Sequence, residues 1–109
     1  MAALDGQVMS REKINRIEVL DTGELFLGIE GQGKPTYQHV YREAAGVYWD
    51  AVRHGFKSTP IRDWSYSQWY KQIISVVRYI GVDLVLADYV TWAGVSEDEK
   101  AKIQRAKAI

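Results

Sequence analysis

A glycine-rich stretch at residues 28–36 carries the pattern closest to catalytic chemistry. It reads Gly-Ile-Glu-Gly-Gln-Gly-Lys-Pro-Thr. A phosphate-binding loop needs such glycines, whose amides cradle phosphates, followed by a lysine and a hydroxyl that holds magnesium. Pro35 stands where the hydroxyl belongs, and Thr36 comes one residue late. Such a loop also opens a helix, which this stretch does not predict. We therefore interpret it as a connector between strands and expect no cofactor.

Three polar residues, His39, Tyr41 and Glu43, would share one face of a strand. A histidine beside a carboxylate suits proton transfer or metal binding. Two ligands are too few for a metal ion, and the only other histidine, His54, falls in a predicted turn. The sequence therefore assigns no metal site and no catalytic residue.

Charged residues flank the aromatic run that follows, and they allow two interpretations. In the first, Arg42 with Glu43, Arg62 with Asp63, and Asp50 form surface or hinge ion pairs. In the second, Arg42, Glu43 and Asp50 border a pocket. The pocket interpretation describes a small-molecule-binding protein or a simple enzyme. Its predicted lining is Tyr41, Glu43, Trp49 and Asp50.

Aromatic residues are the main compositional anomaly of the chain. It has four tryptophans, seven tyrosines and two phenylalanines, and all except Phe26 fall within residues 37–92. Core packing accounts for most of them, but tyrosine and tryptophan keep a polar end that favours contact with water. We therefore predict an exposed aromatic patch that serves self-association first and ligand binding second. Its predicted interface residues are Tyr48, Trp64, Trp69, Tyr70 and Trp92.

Charge and cysteine content exclude several classes of protein. The 14 basic residues are balanced by 14 acidic residues, whereas nucleic-acid binding calls for a basic excess. The chain has no cysteine, which rules out disulfides and fits a reducing cytoplasm. No apolar run approaches the roughly 20 residues that span a bilayer. We expect a cytoplasmic protein that binds neither nucleic acid nor membrane.

The clearest predicted element is a helix over residues 65–80. Ser65 is a good N-cap, and Gln68 three residues later completes a capping box. Trp64 and Trp69 stand at the two positions of a hydrophobic staple, which fixes how the chain enters a helix.

The chain after this helix predicts a strand and a second helix. Gly81 supplies the left-handed stop that ends the first helix. Residues 83–87 form a nearly continuous apolar run, extendable to Trp92, which is typical of a central strand buried on both faces. Ser96 and Glu99 then predict a capping box at the start of a short C-terminal helix.

Two hairpins are predicted before the long helix. Alternating polar and apolar residues over 14–19 and 25–29 flank a short turn. Residues 47–49 and 56–59 form the second pair, and Gly55 between them is able to take positive φ.

Residues 36–45 fit either a helix or a strand, and we favour a strand because Tyr, Val and Thr prefer the pleated surface. Residues 1–12 carry no clear period and are predicted to be a flexible lead-in. The whole chain, 1–109, is predicted to be one α+β domain. It would contain an antiparallel sheet of four to five strands, one long helix packed on a face and a short C-terminal helix.

The run at residues 41–50, taken with Trp64-Ser65-Tyr66 and Trp69, resembles small bacterial proteins encoded by integron gene cassettes. The resemblance covers residues 14 to about 95. It implies a mobile genetic element as the source, a compact and often oligomeric α+β fold, and an accessory role. It implies no catalytic residue.

These observations favour a non-catalytic binding or interaction protein, expected to be a homo-oligomer that associates through the aromatic surface. One alternative is the small-molecule pocket described above. A second alternative is an inhibitor of a partner protein, of the kind seen in bacterial immunity proteins.

Overall fold

The computed structural model describes residues 10–42, 46–60 and 63–106. Within these ranges the chain forms a mixed sheet, one 3₁₀ helix and two α-helices, so the predicted α+β class is confirmed. The elements in chain order are β1 (Ser10–Val19), β2 (Leu25–Ile29), the 3₁₀ helix (Pro35–Arg42), β3 (Val47–Asp50), β4 (Gly55–Ser58), α1 (Tyr66–Tyr79), β5 (Val82–Ala93) and α2 (Glu97–Arg105).

The five strands lie in the order β3-β4-β2-β1-β5. Both predicted hairpins are present, since β1 pairs with β2 and β3 pairs with β4 in antiparallel fashion. β5, however, runs parallel to β1. The sheet is therefore mixed, and the prediction of an entirely antiparallel sheet is corrected in this respect.

The position of β5 also differs from the prediction. We expected this apolar strand at the centre of the sheet, but it is an edge strand. A parallel neighbour requires a crossover, and α1 provides one between β4 and β5. Val82 and Leu84 are buried, whereas Val85 and Leu86 are half-buried. Leu84 and Leu86 lie on the inner face and line a groove beside the helices, whereas Val85 alternates to the other face, so apolar side chains occupy both faces of this run.

One row of paired residues crosses the whole sheet and defines its inner face. Paired residues of neighbouring strands point to the same side, and α1 packs on this side through residues such as Ile73 and Val77. The row consists of Trp49, Phe56, Leu27, Ile17 and Trp92.

The start and end of α1 are as predicted. Ser65 accepts a hydrogen bond from the Gln68 amide, and the Gln68 side chain accepts one from the Ser65 amide, so the capping box is complete. The Trp64 and Trp69 rings are in contact, with centroids 4.9 Å apart. Gly81 follows the helix at φ +86°. The sequence signals therefore located this helix correctly.

The 3₁₀ helix replaces the strand that we favoured for residues 36–45. It has about three residues per turn, which brings Tyr37 and Val40 to the same side. Both side chains are fully buried, so the helix is anchored by two inward residues at this spacing. The end of the predicted strand, residues 43–45, lies outside the described residues.

The turn between β3 and β4 uses its glycine differently from the prediction. His54, not Gly55, has the positive φ, at 64°. A Cβ atom on Gly55 would collide with the Leu27 carbonyl oxygen and with the Phe26 ring. Gly55 is therefore required by close packing between β4 and β2, not by the turn.

The two ends of the chain differ from the prediction in detail. β1 begins at Ser10, so the last three residues of the predicted lead-in are part of a strand, and residues 1–9 lie outside the described ranges. At the other end, Ser96 caps α2 by accepting a hydrogen bond from the Glu99 amide. The Glu99 side chain makes a different contact, described below.

No helix in the described part of the chain is long and apolar enough to cross a lipid bilayer.

Candidate functional site

The most distinctive surface feature is a cleft at the N-terminus of α1, which we call the tryptophan cleft. Its volume is about 420 Å³. The end of β4 and the segment before α1 form its walls, and the described residues that line it are Thr59, Pro60, Asp63, Trp64 and Trp69.

The helix start positions both indole rings of this cleft. The rings are inclined at 49°, so they form a wedge and not a parallel stack. Trp64 remains 43% exposed, although it is one of the largest apolar side chains. The complete capping box at Ser65 holds the backbone between the two rings. The wedge is therefore set by helix capping and needs no ligand to hold it.

The inner ring is fixed by the second hairpin. Gly46 has φ +95°, and a Cβ atom there would lie 2.7 Å from the Trp69 ring. The Thr59 amide donates a 3.0 Å hydrogen bond to the Gly46 carbonyl. Glycine is needed at position 46 both for its backbone conformation and for the space that Trp69 occupies. Trp69 thus joins α1 to the end of the β3–β4 hairpin.

Among the described residues that line the tryptophan cleft, Asp63 is the charged one. Its side chain is exposed, and it makes no ion pair with any residue in the described ranges. Our sequence interpretation paired it with Arg62, which lies outside those ranges.

Trp64 also borders a second depression, which we call the lysine groove. This groove has a volume of about 310 Å³ and follows the outer side of α1. Besides Trp64, its described lining is Gln68, Lys71, Gln72 and Ser75. One exposed indole therefore separates a cleft that carries a carboxylate from a groove that carries an ammonium group.

A second group of aromatic rings, which we call the closed cluster, consists of Tyr37, Trp49 and Phe56. Their centroids lie 5.0–5.3 Å apart, and Tyr37 and Phe56 are fully buried. The Tyr37 hydroxyl donates a 2.7 Å hydrogen bond to the Glu12 carboxylate. Burial and this bond to a carboxylate both raise the pKa of Tyr37. The cluster therefore belongs to the core.

Of the predicted pocket of Tyr41, Glu43, Trp49 and Asp50, the structure describes three residues, and it does not bring Trp49 and Asp50 together. Trp49 belongs to the closed cluster on the inner face, and Asp50 points to the opposite face because neighbouring strand residues alternate. Tyr41 is 49% exposed on the 3₁₀ helix. Glu43 lies outside the described residues.

Asp50 has a structural role on the outer face of the sheet. It accepts a 3.1 Å hydrogen bond from the Lys57 ammonium and a 3.0 Å bond from the Arg53 amide. Burial raises its pKa, but the bonds from Arg53 and Lys57 have the larger combined effect, so the pKa of Asp50 is lowered. The carboxylate is held by these bonds and is not directed at a cavity.

The five predicted interface residues lie in several places. Trp64 and Trp69 meet in the tryptophan cleft, whereas Tyr48 is 41% exposed on β3 at one edge of the sheet. Trp92 is half-buried on β5 at the other edge, with the Lys100 ammonium 5.4 Å from its ring centroid. Tyr70 is buried, and desolvation raises its pKa to about 12. The predicted patch is therefore not continuous.

The stretch that approaches a phosphate-binding loop has no such geometry. Gly28 ends up inside β2, and the helix that follows is a 3₁₀ helix starting at Pro35. Lys34 donates a 2.6 Å hydrogen bond to the Ser10 hydroxyl. Within the described ranges, no group of three or more histidine, cysteine, aspartate or glutamate residues is placed to hold a metal ion.

The sequence did not predict a contact between α2 and the first turn of α1, close to the tryptophan cleft in the chain. The Glu99 carboxylate of α2 accepts a 2.8 Å hydrogen bond from the backbone amide of Ser67, in the first turn of α1. Burial raises the pKa of Glu99, but the bonds from Ser67 and Lys102 outweigh it, so the net pKa is lowered. The Ser-x-x-Glu signal was present, but it did not reveal that the carboxylate would cap a different helix.

A second missed feature is an edge groove beside β5. Its volume is about 420 Å³, and its apolar lining includes Tyr70, Ile74, Leu84 and Leu86. The free side of β5 is adjacent to it, since β1 is the only strand in the described ranges that pairs with β5. We did not predict this groove, because we expected β5 to lie at the centre of the sheet with a strand on each side.

Comparisons with known proteins agree with the resemblance seen in the sequence. The sequence model of a family described as Integron Cassette Protein Hfx_Cass5 matches residues 28–91, a range that includes both tryptophans of the cleft. A solved structure is described as coming from the mobile metagenome of North West Arm Sewage Outfall, Integron Cassette Protein Hfx_Cass5. It is 33% identical over 87% of this chain and 93% of its own chain, with a TM-score of 0.42.

No curated protein matches this chain. The matched family range spans more than half of the 109 residues. The protein is thus an α+β protein of the integron-cassette type. It belongs to the Hfx_Cass5 integron cassette protein family.

Proposed function

We propose that this protein is a non-catalytic binding protein and that its binding surface is the tryptophan cleft. The observation that carries this proposal is the exposed Trp64–Trp69 wedge beside the Asp63 carboxylate. Tryptophan is among the residues that contribute most to binding energy at recognition surfaces. A concave site with a few polar groups among apolar walls is the usual form of a ligand site.

Six carboxylates and phenols in the described ranges have shifted pKa values, and their places support a non-catalytic role. The pKa values of Glu24 and Tyr89 are shifted mainly by bonds with Thr22 and Glu30, and neither residue lines the tryptophan cleft. Glu99, Asp50 and Tyr37 are engaged in bonds that hold the fold, and Tyr70 is shifted by burial. None of these four lines the tryptophan cleft. Catalytic groups tend to combine a shifted pKa with a place in a cleft, and these groups do not. The chain also lacks cysteine, and we retain the cytoplasm as its proposed location.

A small-fragment screen by protein NMR tests this proposal. We expect fragments that bind to shift the backbone signals of Thr59, Asp63 and Trp69, and we expect Trp64→Ala to abolish those shifts. Fragments that bind instead to the edge groove, with no response at the tryptophan cleft, would contradict the proposal.

Self-association is a second candidate function, and the edge groove favours it. β5 has 12 residues, and the backbone groups on the free side of an edge strand are able to pair with another chain. In this proposal two copies meet along β5.

Light scattering after size-exclusion chromatography tests the second candidate. We expect a dimer that Val85→Lys converts to a monomer, because a lysine on an edge strand opposes pairing with another chain. Tyr48→Lys is the matched control, since it adds the same charge at the opposite edge of the sheet, and it should leave the dimer intact. A wild-type protein that stays monomeric up to its solubility limit would exclude this candidate.

A further inference from the structure

We infer that the tryptophan cleft binds small organic cations, with quaternary ammonium groups as the preferred class. This inference rests on the proposed function, because it names the chemistry of the ligand for the same cleft. It is carried by two features that occur together, a wedge of two indole rings and a carboxylate without an ion-pair partner in the described ranges.

The indole rings supply the first part of the recognition. The face of an aromatic ring carries negative potential and attracts cations, and tryptophan does so more strongly than tyrosine or phenylalanine. Because the two rings are inclined at 49° with centroids 4.9 Å apart, a rounded methylated ammonium group fits the open side of the wedge better than a flat ring. The large exposed part of Trp64 remains available for this contact.

The charged side chains among the described residues that line the two depressions beside Trp64 supply the second part. Asp63 lies in the tryptophan cleft, where it attracts a cation. Lys71 lies in the lysine groove, where it repels one. A cation that approaches Trp64 is therefore directed to one side of the indole by charges of opposite sign. An anionic ligand would prefer the lysine groove, and a neutral apolar ligand would have no electrostatic preference between the two.

The dimensions limit the size of the ligand. Sites for drug-sized ligands have volumes of about 300–1,000 Å³, and the tryptophan cleft is near the lower end at about 420 Å³. It is also open to solvent along Trp64. We therefore expect it to enclose a cationic head group and to leave the remainder of a longer molecule in water.

The decisive experiment compares choline with 3,3-dimethylbutan-1-ol, in which a neutral carbon replaces the ammonium nitrogen. Both compounds are titrated into the protein by calorimetry at low and high salt. We expect choline to bind at least about fivefold more tightly than the alcohol, because only choline gains cation–π and carboxylate attraction. This preference should fall at high salt, where the attraction to exposed Asp63 is screened.

Variants separate the two parts of the recognition. Trp64→Ala should weaken choline binding by about tenfold or more, and Trp64→Phe should retain part of it because a ring face remains. Asp63→Asn should weaken choline by about fivefold and leave the alcohol unchanged. Tyr79→Ala is the matched control, since Tyr79 is 78% exposed but lines neither depression beside Trp64. Circular dichroism shows that each variant is folded.

Equal affinity for both compounds would overturn the cation inference while leaving the proposed function standing. Choline binding that persists unchanged in Trp64→Ala would also overturn it, because the cation would then be bound elsewhere. If choline does not bind at all, the inference is wrong, and the fragment screen then decides separately whether the cleft binds any ligand.

Discussion

The two aromatic groups of this protein use similar side chains for different purposes. In the closed cluster, Tyr37 and Phe56 have no exposed surface, whereas 43% of Trp64 in the tryptophan cleft is exposed. The centroids within both groups lie about 5 Å apart, so ring contact alone does not distinguish them. The two groups differ in the elements that support them. Trp49 and Phe56 of the closed cluster lie on the inner row of the sheet, with Tyr37 packed on them from the 3₁₀ helix, whereas the capped start of α1 holds the rings of the cleft.

The role of an aromatic residue in this protein therefore follows from what its backbone element packs against. Phe56 is paired within the sheet row that α1 covers. Trp64 lies in the segment between β4 and α1, contacts one ring of α1 and remains 43% exposed. We therefore expect Phe56 to contribute mainly to stability and Trp64 to contribute mainly to binding.

The largest expected effect is on the closed cluster. Phe56→Ala should lower the free energy of unfolding by about 3–5 kcal/mol, because it leaves a cavity between Tyr37 and Trp49. Urea unfolding followed by circular dichroism measures this change. If Phe56→Ala lowers the free energy of unfolding by less than about 1 kcal/mol, the closed cluster is not the stabilising group that we propose.

A smaller loss is expected when only the hydroxyl of the closed cluster is removed. Tyr37→Phe keeps the ring but deletes the hydrogen bond to Glu12. We expect a loss of about 1–2 kcal/mol, because the Glu12 carboxylate is half-buried and loses a donor. Thermal unfolding provides the measurement. The control is the same Tyr37→Phe change made in a Glu12→Gln background. There it should lower the free energy of unfolding by less than it does in the wild-type protein.

The exposed tryptophan should contribute little to stability. Trp64→Ala removes one member of the hydrophobic staple, and we expect the free energy of unfolding to fall by about 1 kcal/mol or less. The same urea titration measures it alongside Phe56→Ala. An equal loss in the two variants would show that Trp64 is a core residue and would weaken the case for a binding surface.

The smallest effect concerns pH and the support of the cleft. The folded-state pKa of Glu99 lies below its ordinary value of 4.5. Its ionised form therefore adds stability above that value, and the contribution is lost as pH falls through the lowered pKa. Glu99→Gln should lower the free energy of unfolding by up to about 1 kcal/mol at neutral pH.

The stability difference between wild type and Glu99→Gln should shrink as pH falls from about 7 to about 3. Urea midpoints across this range measure it. Asp50 also has a lowered pKa, but it is present in both proteins and so cancels from the difference. A constant difference across the range would show that Glu99 does not cap α1 through its charge.

Local signals in the sequence predicted much of the fold. The capping box, the staple and Gly81 located α1 because these features act within a few residues. The alternation of residues 14–19 and 25–29 located the first hairpin for the same reason. The edge position of β5 was not predictable from its apolar composition, because a groove beside the helices hides apolar side chains nearly as well as another strand does.

The candidate site was predicted only in part. The aromatic content of the chain predicts Trp64 and Trp69 as interface residues, their staple spacing predicts that they meet at the start of the helix, and both line the cleft. Asp63 was interpreted as one half of an ion pair, since its position in the cleft depends on how the end of β4 meets α1. Trp49 and Asp50 were placed in one pocket although they are neighbours on a strand, and alternation alone argued against that grouping.

Of the two aromatic groups, the tryptophan cleft is the proposed binding surface and the closed cluster is structural. The four tryptophans each give one indole N–H signal in a two-dimensional NMR spectrum, so a single titration with choline reports on all of them. We predict that the signals of Trp64 and Trp69 move together, with the same apparent affinity, while those of Trp49 and Trp92 remain in place. Movement of Trp49 or Trp92 with Trp64 and Trp69 unchanged would contradict the account.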